Sequence, residues 1–196
     1  MNRRLFLAST TLGFTFAASG ASFADDADDA QAMVRRISDE MLSLVRSPSG
    51  EAAKRAEFVG MMDRYSNMRQ IAGFALGRYR LTMPEALKDR YIEAFKRFVA
   101  ATYVGMFSDY DGETIDVGTA RPTEYGYAVS TTVNRGAQPP MDVRWELSTR
   151  SGRLLVEDFV VEGISMATSQ RGEFTSLIAS YGGDLEKFIA YLESRG

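Results

Sequence analysis

Apolar residues recur every three or four positions through the first half of the chain, a spacing that predicts amphipathic helices. The clearest case is residues 25–47, where charged residues separate the apolar positions. Those apolar positions are Met33, Ile37, Met41 and Leu44. The same spacing predicts helices over residues 51–64 and 68–76. The second of these is followed by Gly77, a residue type that commonly ends helices.

A longer helix is predicted from Thr82-Met83-Pro84-Glu85, which combines the pattern of a capping box with a proline in the first turn. We expect it to extend to about residue 107. Its apolar positions form two adjoining stripes: Leu87, Tyr91, Ala94, Phe95, Phe98 and Ala101 in one, and Ile92, Val99, Tyr103 and Met106 in the other. A surface helix needs only about 100° of apolar arc. We therefore expect this helix to be sandwiched between other elements or to line a cavity.

The apolar spacing changes to every second residue after residue 113, which predicts β-strands. Four strands are expected, over residues 113–117, 125–133, 142–148 and 154–162, with a loop over 134–140. Short hairpins between them imply an antiparallel sheet. Two helices, over 168–180 and 184–193, follow. The expected fold class is α+β, with helices packed on one face of a curved antiparallel sheet of about four strands. Such layers can either fill their interface or leave a hollow.

The first 24 residues have the pattern of a secretory signal peptide. Arg3 and Arg4 precede an uncharged run that closes with Ser22-Phe23-Ala24, so cleavage is expected after Ala24. The paired arginines fit either a twin-arginine signal or an ordinary Sec signal. A membrane anchor is the alternative, because a span needs roughly 20 residues, but serines, threonines and glycines dilute the run. We expect one domain over residues 25–196.

The composition excludes several classes of chemistry. The chain has no Cys and no His. It therefore has no disulfide, thiolate nucleophile, imidazole base or Cys/His metal site, and we expect no cofactor and no metal. Without Arg3 and Arg4 the chain keeps 21 basic against 26 acidic residues, so nucleic acid is not an expected partner.

One section of this acidic chain is basic. Residues 66–107 contain seven basic residues against three acids. This balance fits either solvated helix faces or a surface for anionic head groups or an acidic partner. We assign candidate partner contacts to Arg90, Lys96 and Arg97.

Two segments approach known site patterns without completing them. Residues 163–167 come close to the Gly-x-Ser-x-Gly elbow of serine hydrolases, but the usual base is missing, and we expect Ser165 to cap a helix instead. Residues 109–113 resemble the start of a calcium loop whose ligand series is broken, and a solvated turn is expected. No catalytic residue is predicted.

Asp158 and Glu162 are predicted to share one strand face. A carboxylate pair can serve acid–base catalysis. Pairing with Arg144 or Arg171 is the simpler expectation.

The segment 157–174 carries a family pattern that continues to residue 185. Its residues are Asp158, Glu162, Gly163, Ile164, Ser165, Gln170, Arg171, Phe174, Gly182 or Gly183, Asp184 and Leu185. This pattern resembles the MlaC, or Ttg2 toluene-tolerance, family of periplasmic phospholipid-binding proteins. Segments 68–77, 95–103 and 110–115 are similar to other parts of the family, so the resemblance covers nearly the whole mature chain. Ser66-Asn67 departs from it, since many relatives have an acidic residue there.

The resemblance implies a periplasmic carrier, expected as a monomer. It would move phospholipid between an outer-membrane lipoprotein complex and an inner-membrane ABC transporter with an MCE-domain subunit, which maintains outer-membrane lipid asymmetry. The acyl tails would lie between sheet and helices. We place the lining, as a hypothesis, at Phe74, Phe95, Phe98, Val129, Val133, Val143, Trp145, Leu147, Phe159, Val161, Ile164 and Met166. The alternatives are a small enzyme acting on an apolar substrate with Asp158 as base, and a scaffold with a filled interior.

Overall fold

The computed structural model describes residues 22–106, 110 and 112–196, with side chains from residue 26 onward. The predicted signal peptide, apart from residues 22–24, lies outside the described residues. So do Asp109 and Asp111 of the predicted solvated turn.

The described residues form six α-helices and one 3₁₀ helix, close to the predicted bounds. The helices are α1 Ser22–Arg46, α2 Glu51–Tyr65, α3 Met68–Ala75, the 3₁₀ helix Gly77–Leu81, α4 Glu85–Gly105, α5 Met166–Ser180 and α6 Leu185–Arg195. Gly77 follows the end of α3 with a φ of +55°, as its position predicted. A Cβ there would also lie 2.7 Å from the Thr175 side chain. Both the positive φ and this close approach favour glycine at the position. Within the described part of the chain, no helix is long and apolar enough to span a membrane.

The helix-capping predictions had different outcomes. Ser165 caps α5, because its hydroxyl accepts a hydrogen bond of 3.0 Å from the Thr168 amide. The capping box predicted at Thr82 is wrong. Pro84 is the N-cap of α4 without a side-chain cap, and the Thr82 hydroxyl instead donates to the Tyr79 carbonyl at the end of the 3₁₀ helix.

An antiparallel meander of five strands forms the sheet, in the order β1-β2-β3-β4-β5. The strands are β1 Thr114–Pro122, β2 Gly126–Arg135, β3 Gln138–Ser148, β4 Leu155–Val161 and β5 Ile164–Ser165. The fold class is α+β, as predicted, with one strand more than expected. The extra strand, β5, folds back on β4 through Glu162 and Gly163, which both have positive φ, as a tight hairpin turn requires.

The loop predicted over residues 134–140 is wrong, because β2 and β3 continue through most of it. The segment contains Pro139 and Pro140, and proline cannot donate to a sheet ladder. In the structure the register shifts between Val133 and Arg135, and neither proline has a ladder partner. The prolines are therefore accommodated where pairing is already interrupted.

Two apolar clusters lie on either side of α4, as the width of its apolar surface predicted. The helical core joins α3, α4, α5 and α6 around Phe174, whose ring lies 4.9 Å from that of Phe188 and 5.9 Å from that of Phe95. The sheet-side core joins α1, α2 and the second half of α4 to the sheet. The sheet-side core is interrupted by a hollow.

Candidate functional site

An apolar cavity of about 540 Å³ lies between the sheet and the helices, within the size range of small-molecule sites. β3 and β4 form one wall, with Met141, Val143, Trp145, Val156, Phe159 and Val161. The helices form the other, with Ile37, Met41, Phe58, Met61, Met62, Tyr65, Tyr103, Met106 and Met166. The polar lining residues are Ser66, Thr102, Ser169, Gln170 and Glu173. Thr102, Met106 and Glu173 are exposed, so the cavity opens to solvent between α4 and α5.

A β-bulge in β4 decides which residues face the cavity. Strict alternation from Phe159 would turn Glu157 toward the apolar side. The register between β3 and β4 shifts, however, so that Glu146 pairs with Asp158 while Leu147 pairs with Val156. The extra residue is Glu157, whose carboxylate accepts a hydrogen bond of 2.7 Å from Gln70 on α3. The bulge therefore removes a charge from the cavity wall and places Val156 there instead.

Trp145 belongs to the sheet wall, and a hydrogen bond to a buried hydroxyl fixes its ring. The indole N–H donates to the Thr131 hydroxyl at 3.1 Å, and that hydroxyl donates in turn to the Val143 carbonyl at 3.1 Å. Thr131 is 3% exposed, so this polar group is satisfied away from water. The ring of Trp145 lies 6.1 Å from that of Phe159. The sequence offered no direct indication of the role of Thr131, which has the spacing of an ordinary inward position of β2.

Six of the ten methionines in the chain line the cavity. They come from α1, α2, β3, α5 and the end of α4: Met41, Met61, Met62, Met106, Met141 and Met166. Methionine is unbranched and polarisable, and it adapts to irregular shapes better than other apolar side chains. A wall of this composition can follow cargo of variable shape. The number of methionines was visible in the sequence, but their convergence was not.

Hydrogen bonds and burial fix the two tyrosines in the helical wall. The Tyr65 hydroxyl donates to the Glu40 carboxylate at 2.5 Å, and Arg64 donates to the same carboxylate at 2.7 Å. Burial, with the charges of Asp158 and Glu173, raises the pKa of Tyr103 to about 12. Tyr103 is therefore neutral at physiological pH, and Glu173 is the one charged residue among the described lining residues.

Comparison with known proteins places the chain in a family. The model of the MlaC protein family matches residues 35–194. The chain belongs to the MlaC family. A solved structure from Ralstonia solanacearum, described as a phospholipid-binding protein in complex with a phospholipid, superposes with a TM-score of 0.70 at 18% identity. The match covers 85% of this chain and 96% of that one. At this identity the likeness shows the shared fold, which agrees with the predicted resemblance to MlaC.

The structure of this MlaC-family chain brings five of the twelve predicted lining residues together at the cavity. These are Val143, Trp145, Phe159, Val161 and Met166. Val129 and Leu147 are buried in the sheet-side core, and Val133 is half-buried on β2. Phe95 and Phe98 pack in the helical core instead. Phe74 is 40% exposed on α3, and Ile164 is 58% exposed on β5.

The predicted partner contacts differ in how free their charges are. Arg90 is bound by Glu186 and Glu193 of α6, at 3.0 and 2.7 Å. Lys96 is 8% exposed and lies 2.6 Å from Glu93. Arg97 is exposed beside the carboxyl-terminal Gly196. Two of the three charges are therefore already neutralised within the chain.

Asp158 connects β4 to α5. Its carboxylate accepts hydrogen bonds from the Phe159 amide at 2.8 Å, the Ala167 amide at 2.9 Å and the Ser165 hydroxyl at 2.5 Å. Three donors to one carboxylate fix the angle at which α5 leaves the sheet.

The expected pairing of Asp158 or Glu162 with Arg144 or Arg171 is wrong. Arg144 binds Glu146. The Glu162 carboxylate accepts from the Asp142 amide, since the hairpin turn directs it back to β3. No cluster of potential metal ligands occurs among the residues the structure describes.

Proposed function

We propose that this protein binds phospholipid acyl chains in the cavity between sheet and helices. The observation that carries the proposal is a solvent-connected hollow whose walls are formed by aliphatic, aromatic and methionine side chains. Apolar side chains facing an empty space lose the contacts that close packing would give. An apolar ligand would restore those contacts.

The proposed role is that of a carrier in the periplasm. Two acyl chains contain about 30 methylene groups, and each costs about 0.8 kcal/mol to expose to water, so unassisted crossing would cost more than 20 kcal/mol. Enclosure in the cavity removes most of this barrier. Release then requires a partner that offers the chains a competing apolar path.

The family and the fold support this role. The Ralstonia solanacearum protein of the same fold was solved with a phospholipid bound. The predicted signal peptide directs the chain to the periplasm. We propose as partners an inner-membrane ABC transporter with an MCE-domain subunit and an outer-membrane lipoprotein complex. Transfer between them would maintain outer-membrane lipid asymmetry.

The arrangement of Asp158 argues against the alternative of a small enzyme. A general base must lie within reach of its substrate. Asp158 does not belong to the cavity lining, and three hydrogen-bond donors hold its carboxylate where β4 meets α5. We therefore expect Asp158→Asn to lower the stability of the connection between β4 and α5. We expect no catalytic activity that this substitution could abolish.

Native mass spectrometry of the mature protein, purified from periplasm without detergent, tests the proposal. We expect a mass excess equal to bound phospholipid, identified by lipid analysis. Trp145→Asp should lose most of this cargo, because it places a carboxylate in the apolar wall, whereas Trp145→Phe should keep it. A bare polypeptide mass that stays unchanged after incubation with liposomes would overturn the proposal. Full cargo in Trp145→Asp would show that the lining is placed wrongly.

A further inference from the structure

A basic and apolar surface lies on α3, the 3₁₀ helix and α5, away from the cavity wall. We call it the arginine face and define it by Phe74, Arg78, Arg80, Leu81 and Arg171. Leu81, at the end of the 3₁₀ helix, is 84% exposed, and Phe74 is 40% exposed. An exposed leucine beside an exposed phenylalanine, surrounded by cations, is typical of interaction surfaces rather than of solvated helix faces.

The cations of this face are not neutralised within the described part of the chain. Arg78, Arg80 and Arg171 form no ion pair with any described residue, in contrast to Arg90 and Lys96. Two of them are held by rings: the Arg78 guanidinium lies 4.9 Å from the ring centre of Tyr79, and that of Arg171 lies 5.1 Å from that of Phe74. Such stacking orients a guanidinium and leaves its charge available.

Two recesses flank the Arg80 side chain. One, of about 360 Å³, combines Arg80 with an apolar floor that includes Met83. Arg69 and Lys88 also line it, but they are paired with Asp89 and Glu85, so the available charge there is that of Arg80. The other, of about 240 Å³, lies between Phe74, Leu81 and the arginines at positions 78 and 171. Gly73 borders both, and a Cβ there would come within 3.4 Å of the Arg80 side chain. Arg80 therefore borders two recesses of head-group size and presents its charge to both.

We propose that the arginine face docks on a membrane surface that contains anionic phospholipid. Leu81 would enter the acyl boundary while the arginines bind head-group phosphates, the combination by which amphipathic interfacial segments hold to bilayers. Charge complementarity favours this occupant and fixes the orientation. The full chain carries a net charge of −3, and without Arg3 and Arg4 its 21 basic and 26 acidic residues leave it more negative still, so only a locally cationic face is attracted to an anionic bilayer.

The position of α5 links this face to the cavity. Arg171 belongs to the arginine face, while the neighbouring Gln170 and Glu173 line the cavity opening. Docking would therefore hold the opening close to the lipid surface. This inference goes beyond the proposed function: a carrier could hold phospholipid without touching a bilayer, and a surface could dock without holding cargo.

Vesicle flotation of the mature protein tests the inference. The two vesicle types are phosphatidylethanolamine alone and the same lipid with about one-third phosphatidylglycerol. We expect binding to the anionic vesicles only, weakened by salt. The double substitution Arg78→Gln with Arg80→Gln should lower binding about 10- to 30-fold, at several-fold per charge. Leu81→Ser should lower binding about tenfold, and the size of this loss should depend less on salt than that of the arginine substitutions.

A matched control removes two exposed arginines from other surfaces, Arg35→Gln with Arg121→Gln, and should change binding less than threefold. All positions are exposed, so folding should be unaffected. Equal binding to both vesicle types, or an equal loss in the control, would overturn the inference. Absence of vesicle binding together with arginine-dependent binding to an acidic protein would also overturn it. Native mass spectrometry of the same variants keeps the two proposals separate, because loss of docking with full cargo leaves the proposed function intact.

Discussion

The helical core and the cavity are built from similar apolar residues, yet one is filled and the other is hollow. In the helical core, Phe174, Phe188, Ile178, Ile189 and Leu192 are at most 1% exposed, and the rings contact one another edge to face. Around the cavity, aromatic rings and methionines line both the sheet wall and the helical wall. Four helices can close on one another, whereas a sheet bent by a bulge at Glu157 cannot follow the helices above it. Backbone shape, rather than apolar content, therefore decides where space remains.

The largest difference between the two regions should appear in stability. Phe174→Ala should lower the free energy of unfolding by about 3–5 kcal/mol, because it empties the centre of a packed core. Phe159→Ala removes the same ring from a wall that already borders free space, and should cost less than half as much in the lipid-free protein. Urea denaturation of delipidated samples measures both. Equal losses would mean that the cavity wall is as tightly packed as the helical core.

Substitutions at two neighbouring residues of β4 should have different effects on the amount of bound phospholipid. Val156→Asn should remove most of the bound phospholipid, because Val156 faces the cavity, while Glu157→Val should leave the cargo unchanged. Lipid analysis of the purified variants checks this, with thermal unfolding to confirm that both fold. The opposite result would show that β4 alternates without a bulge and that Glu157 faces the cavity.

A subtler comparison concerns the methionines. Met41→Leu combined with Met141→Leu conserves volume and should cost less than about 1.5 kcal/mol per site. It should nevertheless narrow the range of acyl-chain lengths bound, because leucine is branched and adapts less. Met68→Leu in the helical core is the matched control and should leave that range unchanged. A similar lipid mixture in all three proteins would argue that methionine plays no part in accommodating cargo.

The smallest effect is expected where Tyr65 of the cavity wall meets Glu40. The Tyr65 hydroxyl, with a contribution from Arg64, holds the pKa of Glu40 below its ordinary value of 4.5. A carboxylate with a lowered folded-state pKa contributes stability above its unfolded-state pKa, and that contribution is lost as the pH falls through the folded value. In Glu40→Gln, the free energy of unfolding should therefore fall less steeply with pH below about pH 4.5, by a difference of under about 1 kcal/mol. Unfolding curves across this range measure it, and an unchanged acid limb would exclude Glu40 as its source.

Periodicity predicted the helices and strands well, but it predicted less well which other elements each of them packs against. The two stripes of α4 were visible, but spacing along one helix cannot tell which stripe meets the sheet. The structure turns Tyr103 and Met106 toward the cavity and Phe95 and Phe98 toward α6 and α5. On β3 and β4, alternation found Val143, Trp145, Phe159 and Val161. It could not find Val156, because a bulge changes the alternation through backbone pairing that side-chain patterns do not encode.

The contributions of α1 and α2 to the cavity were also beyond sequence reasoning. Phe58, Met61 and Met62 have the spacing of any buried helix face. The lipid-binding interpretation depended on the family pattern in residues 157–174, where β4 leads into α5. There the Ser165 hydroxyl donates a hydrogen bond to the Asp158 carboxylate. The residues of that pattern set the direction in which α5 leaves the sheet. They do not themselves form the cavity, so the pattern identifies the family without showing which residues line the cavity.

Trp145 gives the protein a built-in optical probe. It is the only tryptophan in the chain, it forms part of the cavity wall, and its N–H is bound to Thr131 rather than to water. Light absorbed at the red edge of the aromatic band therefore excites one ring at one known place. Filling or emptying the cavity should change the emission of that ring, so loading and unloading can be followed in real time without a label.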